Sequence, residues 1–291
     1  MPLTTARPTL HLLVIRLLSL TVAVILAPGS LLAFDHQNSE DTPYMQLVEK
    51  ADSLCSEAKW AEAALTLQHA IASEPYNPGN IPLLSNLGMV HHYMGEDSIA
   101  IVTLTKAIDM APSSVTILAN RAKVYTAIGC EQEAFDDYAQ IMELDSTYIQ
   151  ARFCHGLLAL RHRMFQVAKD DFDYLEARYP TSDEALIGRA TFLSSIGKYA
   201  EAIPYYDEIL RTIKAAEYYG ARAYCRLMTD DLPEAASDIA EALSLAPDDG
   251  ELYLYRAALN KMHYRPDDAR RDARRAIELG VDPARAAQFL K

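Results

Sequence analysis

An alanine that recurs about every 34 residues is the feature that most constrains the fold of this 291-residue chain. It occupies positions 63, 100, 134, 168, 202, 235 and 269, and a second small residue precedes each copy at a fixed offset. Two antiparallel helices joined by a short turn approach closely only where their facing side chains are small. The period therefore predicts seven stacked helical hairpins. The small pairs are Ala51/Ala63, Gly88/Ala100, Ala122/Ala134, Gly156/Ala168, Ala190/Ala202, Ala223/Ala235 and Ala257/Ala269.

Larger apolar residues and turn formers follow the same period. In the second unit Leu84, Leu87 and Leu104 flank the small pair at helical spacing. Gly95 and Gly129 are predicted to lie in the turns between the two helices of their units. Prolines that cannot continue a helix follow four of the predicted second helices: Pro75, Pro112, Pro180 and Pro247.

The second unit reads Leu84-x-x-Leu87-Gly88, Gly95, Ala100-x-x-x-Leu104-x-x-Ala107 and Pro112, which resembles the tetratricopeptide-repeat family. The resemblance covers residues 44–283 and implies an all-α fold, a right-handed α-solenoid of helix-turn-helix hairpins. Residues 284–291 are predicted to form a short helix that caps the last hydrophobic face. The seven predicted repeats are 44–77, 81–114, 115–148, 149–182, 183–215, 216–249 and 250–283.

Residues 1–33 have the layout of a secretory signal peptide. Arg7 and Arg16 precede an apolar run at 17–27, no acidic residue occurs before Asp35, and the run is shorter than the ~20 residues of a membrane span. We expect export to a periplasmic or secreted location, with residues 34–43 as a linker. The alternative is an uncleaved anchor at residues 12–34, which would hold the protein in an inner membrane.

The net charge and the cysteine spacing argue against three features: nucleic-acid binding, a zinc site and a disulfide framework. The chain has 27 basic and 40 acidic residues, a net charge of −13, which argues against nucleic-acid binding. Its four cysteines are widely separated, and their spacing fits neither a zinc motif nor a disulfide framework. We expect isolated buried thiols at Cys55, Cys130, Cys154 and Cys225.

Basic and acidic residues also recur in register. Arg or His precedes the first small residue of several units, and Asp recurs at a fixed distance beyond it, on the predicted second helix. We expect cross-helix ion pairs rather than separate anion sites. The pairs are Arg121/Asp137, His155/Asp171, Arg222/Asp238 and Arg256/Asp272. Five arginines between positions 265 and 275 alternate with acidic residues, which favours a solvated ion-pair face over a phosphate or membrane patch.

The resemblance implies that the first helices line a concave groove that binds peptide or protein segments. From the fourth repeat onward the implied lining is apolar and aromatic, which favours a binding surface. The alternatives are that packing buries these side chains, or that the residues facing the groove are shifted by one position along the helices. A glutamate recurs near the start of the last three first helices, at Glu184, Glu217 and Glu251. These residues either form an acidic row along one edge of the groove, called here the acidic lip, or stabilise the positive N-terminal ends of their helices. The predicted groove residues are Asn86, Asn120, Lys123, Phe153, Leu157, Arg161, Tyr224, Leu227, Met228, Leu254 and Tyr255.

One subgroup of the family grips a peptide's C-terminal carboxylate with basic and asparagine side chains. Asn86 and Asn120 resemble its asparagines, but Val48, Thr116 and Asn120 occupy the positions of its basic residues, so this clamp is not supported.

The sequence contains no phosphate-binding glycine loop and no nucleophile motif. We predict a non-enzymatic scaffold outside the cytoplasm that binds a polypeptide in its groove. It would need no cofactor or metal and would contact a membrane only through an uncleaved N-terminus. The alternative is a membrane-anchored assembly factor of an envelope or secretion machine.

Overall fold

A computed structural model describes residues 42–290, which form fifteen α-helices and contain no β-strand. The predicted signal peptide, most of the predicted linker and residue 291 lie outside these residues. Within 42–290 no helix combines the length and the apolar character needed to cross a membrane. The helices are α1 Pro43–Ser56, α2 Trp60–Ser73, α3 Asn80–Tyr93, α4 Asp97–Met110, α5 Val115–Ile128, α6 Glu131–Leu144, α7 Ile149–Arg161, α8 Phe165–Arg178, α9 Asp183–Ser195, α10 Tyr199–Thr212, α11 Ala216–Met228, α12 Leu232–Leu245, α13 Gly250–Met262, α14 Pro266–Glu278 and α15 Pro283–Ala286.

Consecutive helices pack as hairpins, so the predicted all-α repeat fold is confirmed. Pairs such as α1 with α2, α5 with α6 and α13 with α14 make the most extensive contacts. The helices form two compact units, one ending at His155 and the other beginning at Gly156, both within α7. Within each unit neighbouring hairpins also pack on one another, and first helices of successive hairpins touch directly, α3 with α5 and α11 with α13.

The small residues lie where the helices of each hairpin touch. All twelve alanines of the seven pairs are at most 2% exposed. A Cβ added at Gly88 would lie 2.6 Å from Leu104 Cγ, and one at Gly156 would lie 2.8 Å from the Phe172 ring. Because real Cβ atoms do not approach other carbon atoms so closely, the recurring small side chains set the spacing of the hairpins.

Every turn within a hairpin contains one residue in the left-handed backbone conformation. Gly95, Gly129 and Gly197 have φ near +80°. In the other four hairpins the conformation is adopted by residues with side chains, for which it costs about 1–2 kcal/mol. These residues are Ala58, Arg163, Asp230 and Tyr264, with φ of 55°, 59°, 63° and 57°.

Tyr264→Gly is expected to stabilise the protein. Tyr264 is 94% exposed at φ 57°, so the substitution removes backbone strain with little loss of packing. The free energy of unfolding in urea should rise by about 0.5–1 kcal/mol, because the greater chain entropy of glycine offsets part of the gain. Gly129→Ala is the matched control: it places a side chain at a left-handed position and should lower the free energy of unfolding by a similar amount. Equal stability of Tyr264→Gly and wild type would show that the turn is not strained.

The C-terminal residues cover the end of the last hairpin. After α15 a short 3₁₀ turn, Ala287–Phe289, places Phe289 in a buried cluster with Leu254, Ala257 and Ala273. Arg285 forms a bidentate ion pair with Glu251, in which Nη2 lies 2.5 Å from Oε2. Glu251 is therefore bound within the protein and does not form part of an open acidic lip.

Candidate functional site

The predicted groove residues of the second unit, 156–290, fall into two groups. Leu157, Leu227 and Leu254 are buried in the packing between helices, where Leu227 shares an apolar cluster with Leu259 of the next first helix. Their side chains offer no surface to a partner. Tyr224, Tyr255 and Arg161 are half-buried, and Met228 is 44% exposed. The apolar lining predicted from the fourth repeat onward is thus mostly internal, and the two tyrosines and Met228 remain near the surface.

Three tyrosines of this unit form one aromatic group, which we call the tyrosine cluster: Tyr199, Tyr224 and Tyr255. The Tyr224 ring packs edge-on against Tyr199 at 5.7 Å between centroids and tilts against Tyr255 at 5.6 Å. Burial raises the pKa of the Tyr224 hydroxyl, and the neighbouring Tyr199 raises it further. The cluster joins α10, α11 and α13, and Met228 lies one helical turn beyond Tyr224 on α11.

Tyr199 is not among the residues predicted from the sequence. It is the first residue of a second helix, whereas the groove was assigned to first helices only. The signal that identifies it is positional. Trp60 is also the first residue of its second helix and stacks on Tyr93 of the following first helix, with centroids 4.6 Å apart. Trp60 and Tyr199, one in each unit, therefore both pack on the following hairpin.

The predicted residues of the first unit, 42–155, are more polar. Asn120 donates from Nδ2 to Ser85 Oγ at 3.0 Å, which links α5 to α3. Asn86 is 5% exposed, and its Nδ2 has no hydrogen-bond acceptor among the described residues. Lys123 is half-buried, and this burial lowers the pKa of its ammonium group. Phe153 is buried and offers no surface.

Three of the predicted cross-helix ion pairs are confirmed, with Arg Nη2 lying 2.6–2.7 Å from an Asp oxygen in each. They are Arg121–Asp137, Arg222–Asp238 and Arg256–Asp272. The pair His155/Asp171 falls on residues of different units and stays a prediction. Because these arginines are already paired, they stabilise the hairpins rather than offering free anion sites.

Two of these arginines also bind the preceding hairpin. Arg222 Nη1 donates to Asp207 at 2.7 Å, and Arg121 Nη1 donates to Thr105 at 3.0 Å. Arg189, which has Tyr205 at the position of the aspartate, donates to Asp173 of the preceding hairpin at 2.7 Å. Arg121 and Arg222 thus each connect three helices, a role that the spacing of arginine and aspartate alone did not reveal.

The arginine-rich last hairpin carries an ion-pair face, as predicted. Arg270, Arg271 and Arg275 lie 2.5–3.1 Å from carboxylates on the same helix. The four arginines of α14 are balanced by four acidic residues. A depression of about 640 Å³ on this hairpin is lined by the same residues, together with Tyr253 and Arg256. Four of its five arginines, Arg256, Arg270, Arg271 and Arg275, are paired with carboxylates, which does not favour a phosphate site.

The four cysteines are free thiols, as expected, and three of them are buried; Cys130 is half-buried. Burial raises the pKa of Cys55 and Cys225 to about 11, which keeps these thiols protonated and poorly nucleophilic at neutral pH. Residues 42–290 contain no cluster of three or more His, Cys, Asp or Glu side chains able to hold a metal ion.

Paired helices, the repeat period and contacts through small residues define a helical-repeat fold similar to that of tetratricopeptide-repeat proteins. A tetratricopeptide-repeat protein from Parabacteroides merdae superposes with a TM-score of 0.69 at 27% identity, over 85% of this chain and 97% of that one. No model of a known protein family matches the chain.

Two curated relatives are larger proteins. Human DnaJ homolog subfamily C member 3 is 24% identical over 204 residues, 64% of this chain. The tetratricopeptide repeat and J domain-containing co-chaperone DNJ1 of Fusarium oxysporum is 26% identical over 200 residues, also 64% of this chain. The matched segments span only 40% and 38% of the lengths of these relatives. Proteins of this fold are generally interaction modules that bind other proteins or peptides.

Proposed function

We propose that the chain is a non-enzymatic scaffold that binds a segment of another polypeptide at the tyrosine cluster. The observation that carries this proposal is the packing of Tyr224 against both Tyr199 and Tyr255, with the exposed side chain of Met228 one helical turn further along α11. Tyrosine and methionine are enriched at protein interfaces, because they bury large areas while keeping a polar or adaptable group. An apolar side chain of the partner would rest on Met228 and the edges of the rings.

A site-specific photocrosslinker tests the location of this site. At position 228 we expect it to form defined adducts with a second polypeptide in the native host. At Val102, 70% exposed on a second helix of the other unit, the same crosslinker should not form these adducts. Tyr255→Ala should reduce capture at position 228 by about tenfold, the usual effect of removing an aromatic contact worth about 1.5 kcal/mol. Identical adducts from positions 228 and 102 would contradict the assignment.

The proposed location is outside the cytoplasm. This location is supported by the apolar run at 17–27, which two arginines precede, and by the absence of acidic residues before Asp35. N-terminal sequencing of the protein purified from its host tests this: a mature chain beginning near Phe34 indicates export with cleavage. A retained residue 1 in a membrane fraction would instead favour the second candidate, a membrane-anchored assembly factor. A full-length chain recovered only from the cytosol would contradict both.

A further inference from the structure

The second helix α4 exposes a row of apolar side chains on the side that faces away from its hairpin partner. Ile99, Val102 and Met110 are 49%, 70% and 48% exposed. Val102 and Met110 follow Ile99 by three and eleven residues, which places all three on one face of the helix. We call these residues the apolar row. Contiguous exposed apolar side chains of this kind are typical of a binding surface.

The equivalent positions of the other second helices are mostly charged. Where α4 has Val102, α6 and α8 have Asp136 and Asp170. Because the other hairpins form with charged side chains at these positions, the fold itself does not require α4 to be apolar there. At the position of Ile99, five of the other six second helices have an acidic residue: Glu62, Glu133, Glu201, Glu234 and Asp268.

The surface beside the apolar row is acidic. The second helices α4 and α6 both pack on α5, and together they contain seven acidic residues and one basic residue, Lys106. Asp97 and Asp137 are already bound by a histidine and an arginine of the same unit. A partner with basic side chains would therefore meet unpaired carboxylates next to the apolar row. The exposed carboxylates that form no ion pair with a described residue are Asp109, Glu133, Asp136 and Glu143.

We propose that the outer face of α4 and α6 binds a basic amphipathic helix of another polypeptide. The apolar stripe of that helix packs on Ile99 and Val102, and lysine or arginine side chains beside the stripe pair with Glu133 and Asp136. The partner is a helix because the exposed apolar side chains run along α4, and helices pack on one another through such stripes. This surface is separate from the tyrosine cluster, so the chain carries two sites for partners of different chemistry.

A synthetic peptide tests the apolar contact. The probe is a fluorescent helical peptide of about 18 residues of Leu, Lys and Ala, with its leucines on one face, and anisotropy measures its binding. Val102→Ser should weaken binding about fivefold, because the peptide loses an apolar side chain on which it buries its stripe. Leu245→Ser is the matched control. It removes an exposed apolar side chain from α12, a second helix of the other unit, and should change affinity less than about twofold.

A second pair of variants tests the charge of the partner. Asp136→Asn should weaken binding about threefold at low ionic strength, the usual effect of losing an exposed ion pair, and added salt should reduce this difference. Asp170→Asn is the matched control and should leave affinity unchanged. Both aspartates are exposed on second helices, and each accepts from a glutamine one turn earlier, Gln132 at 2.9 Å and Gln166 at 2.8 Å.

Four results would overturn the proposal: no binding of the peptide, equal binding of a counterpart with Glu in place of Lys, equal losses in Val102→Ser and Leu245→Ser, or equal effects of Asp136→Asn and Asp170→Asn. Sedimentation without peptide checks for self-association. A dimer that Val102→Ser dissociates would assign the apolar row to a second copy of the chain, which also overturns the proposal. Crosslinking at position 228 lies in the other unit and is independent of these results, so failure here leaves the proposed function standing.

Discussion

Gly188→Ala is expected to destabilise the second unit by about 2 kcal/mol, although alanine favours helices over glycine. A Cβ at position 188 would lie 2.4 Å from Cδ1 and 2.6 Å from Cε1 of Phe172. Phe172 is fully buried and also contacts Gly156 of the preceding first helix, so its ring has no free space to move into. Overpacking of this kind typically costs about 1–3 kcal/mol.

The control is Gly220→Ala on α11. There the nearest atom to the added Cβ is the end of the flexible Leu252 side chain at 2.9 Å, so the helical preference of alanine should offset the contact. Equilibrium unfolding in urea compares both variants with wild type. Phe172→Leu should destabilise less in the Gly188→Ala background than in wild type, with a coupling of about 1 kcal/mol between the sites. If the stability losses of Gly188→Ala and Phe172→Leu were additive, the Phe172 ring would not be the group that clashes with the added Cβ.

The repeat fold could be predicted because each hairpin imposes the same local requirement. Ala100 and Ala134 must be small for their hairpins to close, and that requirement returns with the period of the unit. The Arg–Asp pairs were predictable for the same reason: a constant spacing across a hairpin of fixed geometry brings Arg121 to Asp137 and Arg256 to Asp272.

The candidate site was harder to predict, because exposure depends on how one hairpin packs on the next. Leu227 and Met228 are neighbours in sequence and were both assigned to the groove, yet the first is buried and the second is exposed. Glu184 and Glu251 occupy equivalent positions, but only Glu251 is bound by an arginine from the C-terminal cap. Such contacts join different repeats, and the pattern within one repeat contains no information about them.

Asp238→Ala is expected to lower the free energy of unfolding by about 3 kcal/mol, as found when one partner of a buried ion pair is removed. The Asp238 side chain is 3% exposed and accepts from Arg222 Nε and Nη2 at 3.0 and 2.6 Å and from Arg226 Nη1 at 2.7 Å. Its loss leaves two largely buried guanidinium groups on α11 with only the more exposed Asp207 and Glu234 nearby. The effect should persist at high salt, because buried pairs are weakly screened.

Asp267→Ala is the matched control, because Asp267 also pairs with an arginine but its side chain is 85% exposed, and such surface pairs contribute less than about 1 kcal/mol. The two arginines lie on α11 on either side of Tyr224, so Asp238→Ala should also loosen the tyrosine cluster. We therefore expect Asp238→Ala to reduce crosslinking at position 228 at temperatures where the chain is still folded, and Asp267→Ala to leave it unchanged. Equal stability losses in the two variants would show that the buried aspartate does not anchor α11.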